Sequence, residues 1–179
     1  MMGTNARAYN VGIVLCLIAL AVSLRLLPHP ANFAPVAAVA IFGGATLPRR
    51  LAVWLPVVIM ALSDVFIGFY DYRVMLVVWS SYLAIAFASS RWLRQIKIKN
   101  GVLLTISGSL FFFLTTNFAV WLWGGMYAHS WAGLSQCYGM ALPFFRSTLL
   151  SDVFYTAVLF GLYAYALRIA DKRVISATD

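Results

Sequence analysis

The chain has 179 residues, of which 63% are hydrophobic, and its mean hydropathy is +0.89. A soluble domain of this length does not need so much apolar sequence, and long apolar runs are typical of membrane proteins. Thirteen Lys and Arg face only five acidic residues, but these charges lie between the apolar runs rather than along one amphipathic face. They therefore indicate membrane topology and argue against nucleic-acid binding. The composition predicts an all-α integral membrane protein.

Six apolar segments predict six transmembrane helices in one domain, residues 1–179. In chain order they cover residues 9–27, 33–47, 51–70, 72–90, 101–124 and 143–167. The second segment would be about 22 Å long at 1.5 Å per residue, which is short for a hydrocarbon core of about 30 Å. It is therefore either a span buried inside the protein or a re-entrant segment.

The distribution of basic residues favours six full crossings. If all six segments cross, one side of the membrane carries ten basic residues: Arg7, Arg49, Arg50, Arg91, Arg94, Lys97, Lys99, Arg168, Lys172 and Arg173. The other side carries three: Arg25, Arg73 and Arg146. Because basic loops stay in the cytoplasm, this bias predicts that both termini are cytoplasmic.

The longest predicted loop, residues 125–142, is external and nearly uncharged. It carries Tyr127, Trp131 and Tyr138, and Trp121 and Trp123 come just before it. Aromatic residues are enriched at both membrane–water interfaces, so one interpretation is an interfacial belt. The alternative is a cap that covers a binding pocket and stacks on a flat ligand.

Two short sequence motifs, called words below, each occur twice in the chain. Leu-Ser-Asp-Val-Phe occupies residues 62–66 and 150–154, and Asn-Phe-Ala precedes it at residues 32–34 and 117–119. The order predicts a three-plus-three internal repeat, as transport proteins often have. Each copy places an Asp inside an apolar run, where a charge costs about 2.5–3.5 kcal/mol, so an acid there marks a candidate functional site.

The unusual polar residues fall at the external half of the predicted spans. Asp64 and Asp152 lie at similar depths, and Thr148, Asp152 and Thr156 form one helical stripe that lipid cannot satisfy. The sequence thus predicts a substrate site open to the outside, formed by ten residues: Arg25, His29, Asn32, Asp64, Asn117, Trp121, Tyr138, Arg146, Thr148 and Asp152.

Structural interpretations compete with this site. Each Asp could simply pair with an arginine, as Arg146 could do for Asp152, or form hydrogen bonds that hold packed helices together. Asn32 is well placed to cap a helix that begins near Pro35, since Asn is a preferred cap and Pro is tolerated in a first turn.

Motifs of soluble enzymes and cofactor sites are absent from the sequence, which has no phosphate-binding glycine loop, zinc-binding histidine pair or nucleophile elbow. The Gly-x-Gly-Asp word of intramembrane aspartyl proteases is also missing around Asp64 and Asp152. With only two histidines, a transition-metal site is less expected than a site for an organic ligand. We therefore expect neither an enzyme nor a cofactor.

Two longer strings carry a family resemblance. Residues 25–36 read Arg-Leu-Leu-Pro-His-Pro-Ala-Asn-Phe-Ala-Pro-Val, and residues 133–146 read Gly-Leu-Ser-Gln-Cys-Tyr-Gly-Met-Ala-Leu-Pro-Phe-Phe-Arg. The chain resembles a bacterial family of small membrane proteins related to the S components of energy-coupling factor (ECF) transporters. This resemblance implies six helices in a bacterial inner membrane and capture of a vitamin, its precursor or a metal ion from outside. It also implies docking on a transmembrane coupling subunit that two ATPases drive, with release by toppling in the membrane.

Together these patterns predict a substrate-binding subunit of an ECF-type importer for a vitamin-like organic solute. Its expected partners are the lipid bilayer, the small ligand, the coupling subunit and the ATPase pair, with no nucleic acid. Two alternatives stay open. The protein could be a self-sufficient secondary carrier in which Asp64 or Asp152 carries a coupling proton, or a structural scaffold with inert aspartates.

Overall fold

The computed structural model describes residues 4–93 and 98–176, with side chains for residues 9–93 and 100–169. Over these ranges the chain forms six helices and no strand: α1 (Thr4–Leu26), α2 (Val36–Thr46), α3 (Arg49–Ile67), α4 (Tyr72–Trp92), α5 (Ile98–Trp123) and α6 (Trp131–Ser176). Five of them are long and apolar enough to cross a membrane, and α2 is shorter. The predicted all-α membrane fold is confirmed at this level.

Several of the basic residues on which the predicted membrane topology depends lie outside the described part of the structure. Arg94 and Lys97 lie outside the described residues, and so do the side chains of Arg7, Lys99, Lys172 and Arg173. The described members include Arg49 and Arg50 at the start of α3 and Arg91 at the end of α4.

Helix α2 is the centre of the molecule. Its 11 residues extend about 16 Å, and all those from Val36 to Gly44 are buried. One part of α2 packs in a core with residues of α1, α3 and α6, and Ala40 and Ile41 pack against α4. A side chain at Gly44 would overlap Ser89, so this glycine allows α2 and α4 to approach closely. A helix that is apolar on every side belongs in a protein interior, as the structure shows.

The direction of α2 follows from contacts between its neighbours. Arg25, at the end of α1, donates a hydrogen bond to Asp64, near the end of α3. These two helices therefore run in the same direction. Because α2 begins where α1 ends and finishes where α3 begins, it passes through the bundle in the opposite direction. Helix α2 is therefore antiparallel to both α1 and α3.

The start of α6 differs from the prediction. The sequence predicts a loop over residues 125–142, but the helix begins at Trp131 and includes Pro143. The Ser130 hydroxyl accepts a hydrogen bond from the Gly133 N–H, which is a standard helix N-cap. Tyr138 then joins this first part of α6 to α5, because its hydroxyl donates to the Leu114 carbonyl at 2.7 Å. Only residues 124–130 remain as a loop.

The predicted cap at Asn32 is wrong. Helix α2 begins at Val36 after Pro35, with no side-chain cap, and Asn32 lies in the preceding turn with φ 60°. Asn tolerates this left-handed conformation better than most residues. The turn is closed by a hydrogen bond from the Phe33 N–H to the Pro30 carbonyl.

The two Leu-Ser-Asp-Val-Phe words share a pattern of burial. In both copies the Ser and Asp are buried, while the Leu, Val and Phe are exposed on the surface of the bundle. Their positions differ, since Asp64 lies in the last turn of α3 and Asp152 lies within the long α6. The internal repeat therefore stays a prediction.

Candidate ligand-binding cavity

A cavity of about 500 Å³ lies at the end of the bundle where α1 and α3 end and α4 begins. The second half of α5 and the first half of α6 complete its wall. Its volume is within the range of about 300–1,000 Å³ that is usual for small-molecule sites. The wall combines four phenylalanines with a smaller set of polar groups, which is the composition such sites generally have.

Six of the ten predicted site residues line this cavity: Arg25, His29, Asn32, Asn117, Thr148 and Asp152. They come from α1, the α1–α2 loop, α5 and α6, so the fold brings together residues that are far apart in sequence. The Asn117 side chain donates to the Phe113 carbonyl at 2.8 Å, and Thr148 donates to the Phe144 carbonyl at 3.0 Å. These bonds along their own helices satisfy one donor each and fix the side chains.

Asp64 lies behind the cavity wall in a closed cluster. Arg25 Nη2 donates to Asp64 Oδ1 at 2.7 Å, and Trp79 Nε1 donates to Asp64 Oδ2 at 3.0 Å. The Asp64 side chain is 1% exposed and that of Arg25 is 15% exposed. Both carboxylate oxygens therefore have a donor, and the charge has an adjacent opposite charge. Asp64 has the surroundings of a structural acid that joins α1, α3 and α4.

Asp152 has different surroundings. It is 2% exposed, and the Ser109 hydroxyl of α5 donates to its Oδ2 at 2.6 Å. Within residues 9–93 and 100–169, the ion pairs are Arg25–Asp64 and Arg73–Asp71, so Asp152 has no cationic partner there. Arg146 is exposed, and the suggested Arg146–Asp152 pair does not form. Asp152 is thus a buried acid on the cavity wall with a single hydroxyl donor.

The polar stripe on α6 is confirmed. Thr148, Asp152 and Thr156 are all buried, and the first two line the cavity. The Thr156 hydroxyl is buried with no hydrogen-bond partner among the described residues. The stripe therefore faces protein, as its exclusion from lipid requires.

Three of the predicted site residues lie away from the cavity wall. The Trp121 indole donates to the Ala128 carbonyl at 2.9 Å and so holds the 124–130 loop. Tyr138 bonds α5, as described above, and Arg146 is exposed. The structure therefore does not bring the aromatic residues near the α5–α6 loop over the cavity as a cap.

The loop between α3 and α4 adds a polar group that the sequence analysis missed. Tyr70 lines the cavity, and its partial burial, together with the nearby Asp64 carboxylate, raises the pKa of Tyr70 to about 12. Its hydroxyl is therefore protonated at neutral pH. The next residue, Asp71, caps α4, and its bond to the Arg73 side chain lowers the pKa of Asp71.

Other lining residues also escaped the sequence analysis, namely Tyr82, Thr116, Phe112, Phe113, Phe144 and Phe145. Thr116 is adjacent to Asn117 and could have been found as a polar residue inside an apolar run. The phenylalanines carry no such signal, because the chain has thirteen of them and most positions in a membrane helix are apolar.

Metal ligation finds no support in the part of the chain that the structure describes, since it holds no group of three or more His, Cys, Asp or Glu side chains able to hold a metal ion. The chemistry that the cavity offers is hydrogen bonding, aromatic contact and one uncompensated carboxylate.

Comparison with known proteins gives a family. No curated protein and no solved structure matches this chain. The family match covers residues 5–174, nearly the whole sequence, and on that basis the chain belongs to DUF6580, a family of unknown function.

Proposed function

We propose that this protein captures a small organic solute from outside the cell, as the substrate-binding membrane subunit of an ECF-type importer. The observation that carries the proposal is the cavity of about 500 Å³ with polar side chains from four helices and connecting loops. A scaffold protein has no need for such a space, because membrane helices are stabilised by close packing. The resemblance described above supplies the transporter class.

The proposed topology has six crossings, with the cavity open to the outside. Arg49 and Arg50 begin α3 and Arg91 ends α4, so these charges lie at the end of the bundle opposite the cavity. Under the positive-inside rule, that basic end is cytoplasmic. If α2 also crosses, as proposed, the number of crossings is even and both termini lie on the same side.

Thiol labelling in intact cells tests this topology. In a background with Cys16 and Cys137 replaced by Ala, Ser130→Cys in the α5–α6 loop is expected to react with a membrane-impermeant maleimide. Arg50→Cys is the matched inner position and is expected to react only after the cells are opened. Labelling of Arg50→Cys in intact cells, with Ser130→Cys protected, would overturn the orientation.

Ligand binding itself is tested with the purified full chain in detergent. A library of vitamins, vitamin precursors and related heterocycles is screened for a rise in the unfolding temperature, because a ligand that binds only the folded state stabilises it by mass action. At least one compound is expected to give a saturable shift. A folded sample that no compound stabilises would overturn the proposal.

A self-sufficient secondary carrier is the second candidate, and the surroundings of Asp152 favour it. A buried carboxylate without a cationic partner is able to hold a proton, and proton relays in transporters use such residues. Proteoliposomes that contain this protein alone discriminate the two functions. Uptake of an identified ligand driven by a pH gradient would favour the carrier, whereas uptake that needs a coupling subunit and ATP would favour the importer subunit.

A further inference from the structure

We propose that the cavity selects an organic cation with an aromatic ring, and that Asp152 is the counter-ion of this ligand. The inference rests on the proposed function and adds the chemical class of its ligand. Three properties of the cavity lead to it: the balance of its charges, the free bonding capacity of Asp152 and the aromatic residues around it.

The balance of charge at the cavity favours a cation. Its wall contains one arginine and one aspartate, but the guanidinium of Arg25 is already neutralised by Asp64 at 2.7 Å. Asp152 has no such partner in the described part of the chain. Asp152 is therefore the acidic group on this wall that has no opposite charge beside it among the described residues.

The bonding capacity of Asp152 leaves room for a ligand. A carboxylate offers about four acceptor positions, and the Ser109 hydroxyl occupies one of them. Burial of a charge away from water is unfavourable unless an opposite charge and further hydrogen bonds compensate for it. A ligand –NH₃⁺ or ring N–H⁺ in the cavity would supply both, and a quaternary ammonium would supply the opposite charge.

The aromatic residues favour the same class of ligand. Tyr82 and Phe112 form a ring pair with centroids 4.6 Å apart, and Phe113 and Phe145 form a second pair at the same separation. All four residues line the cavity together with Asp152. The electron-rich faces of aromatic rings attract cations, and flat rings also stack on them.

An anionic ligand lacks a comparable partner, because the arginine on the wall, whose Nε has no hydrogen-bond partner among the described residues, already has Asp64 beside it. Arg25 bonds Asp64 and lies 2.7 Å from the Met60 sulfur, while Arg146 is exposed and outside the cavity wall. An anion would also meet the carboxylate of Asp152, and like charges at close range repel strongly in a low dielectric.

Four probes that share a naphthalene ring system and differ in charge test the inference. They are (naphthylmethyl)trimethylammonium, naphthylmethylamine, naphthalenemethanol and naphthoate, each added to the purified full chain. Thermal unfolding identifies binders, and calorimetry gives their dissociation constants. The two cations are expected to bind, with the neutral alcohol and the anion at least tenfold weaker.

Substitution then assigns the selectivity to Asp152. Asp152→Asn keeps the shape and removes the charge, and it is expected to weaken binding of both cations at least tenfold, or about 1.4 kcal/mol. Asp152→Glu keeps the charge and is expected to retain the preference for cations over naphthoate. Asp71→Asn is the matched control, because Asp71 lies in the α3–α4 loop outside the cavity wall, and unchanged affinity is expected.

Three results would overturn the inference: tighter binding of naphthoate than of the cations, unchanged cation affinity in Asp152→Asn, or no binding of either cation at millimolar concentration. These outcomes separate the inference from the proposed function. If library compounds of another charge bind while the cations do not, the ligand class is wrong and solute binding stands. If no compound of any charge binds, both fail.

Discussion

Asp64 and Asp152 occupy the same position in two identical five-residue words, yet their surroundings have little in common. Asp64 receives Arg25 on one oxygen and Trp79 on the other, and it lies behind the cavity wall. Asp152 receives only the Ser109 hydroxyl and lines the cavity. The difference teaches that the role of a membrane acid is set by side chains from other helices rather than by its own sequence neighbours.

The energetic consequence follows from how buried charges are compensated. The attraction within a buried ion pair roughly offsets the desolvation of its two charges. Loss of one partner leaves a buried charge without compensation, which destabilises the fold. An acid that is compensated within the protein, such as Asp64, is therefore part of the fold. A buried acid that is not compensated, such as Asp152, is a candidate functional residue.

The largest expected effect on stability comes from removing the cationic partner of Asp64. Arg25→Met leaves Asp64 buried without its cation, and we expect a loss of about 3 kcal/mol in the free energy of unfolding. Denaturant unfolding in detergent measures it. In the double variant Arg25→Met/Asp64→Leu most of the loss should be recovered, because no buried charge remains. Equal stability of the single and double variants would contradict the structural role of this pair.

Removal of the second hydrogen-bond donor to Asp64 is expected to lower the stability by less. Trp79→Phe removes the indole N–H and keeps an aromatic ring, and we expect about 2 kcal/mol lower stability, since hydrogen bonds to charged groups have this magnitude. Trp54→Phe is the matched control on α3, where the indole is exposed and no measurable change is expected. Similar losses in both variants would mean that ring volume, rather than the bond to Asp64, sets the effect.

The smallest effect concerns the donor to Asp152. Ser109→Ala removes the hydroxyl that orients the carboxylate and stabilises its charged form, so we expect about fivefold weaker binding of (naphthylmethyl)trimethylammonium, or about 1 kcal/mol. Calorimetry measures the affinity. Ser107→Ala, at an exposed position of the same helix, should bind as the unmodified protein does, and equal affinity in all three proteins would separate Ser109 from the site.

The sequence predicted most of the fold because membrane helices require long apolar runs. The predicted spans at residues 9–27, 51–70, 72–90 and 101–124 correspond to α1, α3, α4 and α5 within a few residues. The start of α6 was missed, because Pro143 resembles a first-turn proline and the residues before it include glycines and a glutamine. The Ser130 cap is local, but the bond from Tyr138 to α5 depends on a tertiary neighbour that sequence patterns do not show.

The lining of the candidate site was predictable only where polar residues interrupt apolar runs. That signal located Asp152, Thr148 and Asn117, but it also selected Asp64, whose partner Arg25 lies 39 residues away in the chain. The aromatic lining could not be recognised, since a phenylalanine that faces a cavity and one that faces lipid look alike in sequence. Only the fold shows which side chains from other helices bond to each of these residues.

The most direct test of the account compares Asp64→Asn and Asp152→Asn in one thermal-unfolding experiment, with and without (naphthylmethyl)trimethylammonium. We expect Asp64→Asn to lower the unfolding temperature in the absence of the probe, because the Arg25 charge loses its partner. We expect Asp152→Asn to keep or raise that temperature, since a desolvated acid becomes neutral, and to lose the shift caused by the probe. Equal unfolding temperatures for the two variants, with an undiminished probe shift in Asp152→Asn, would contradict the assignment of one aspartate to the fold and the other to the ligand.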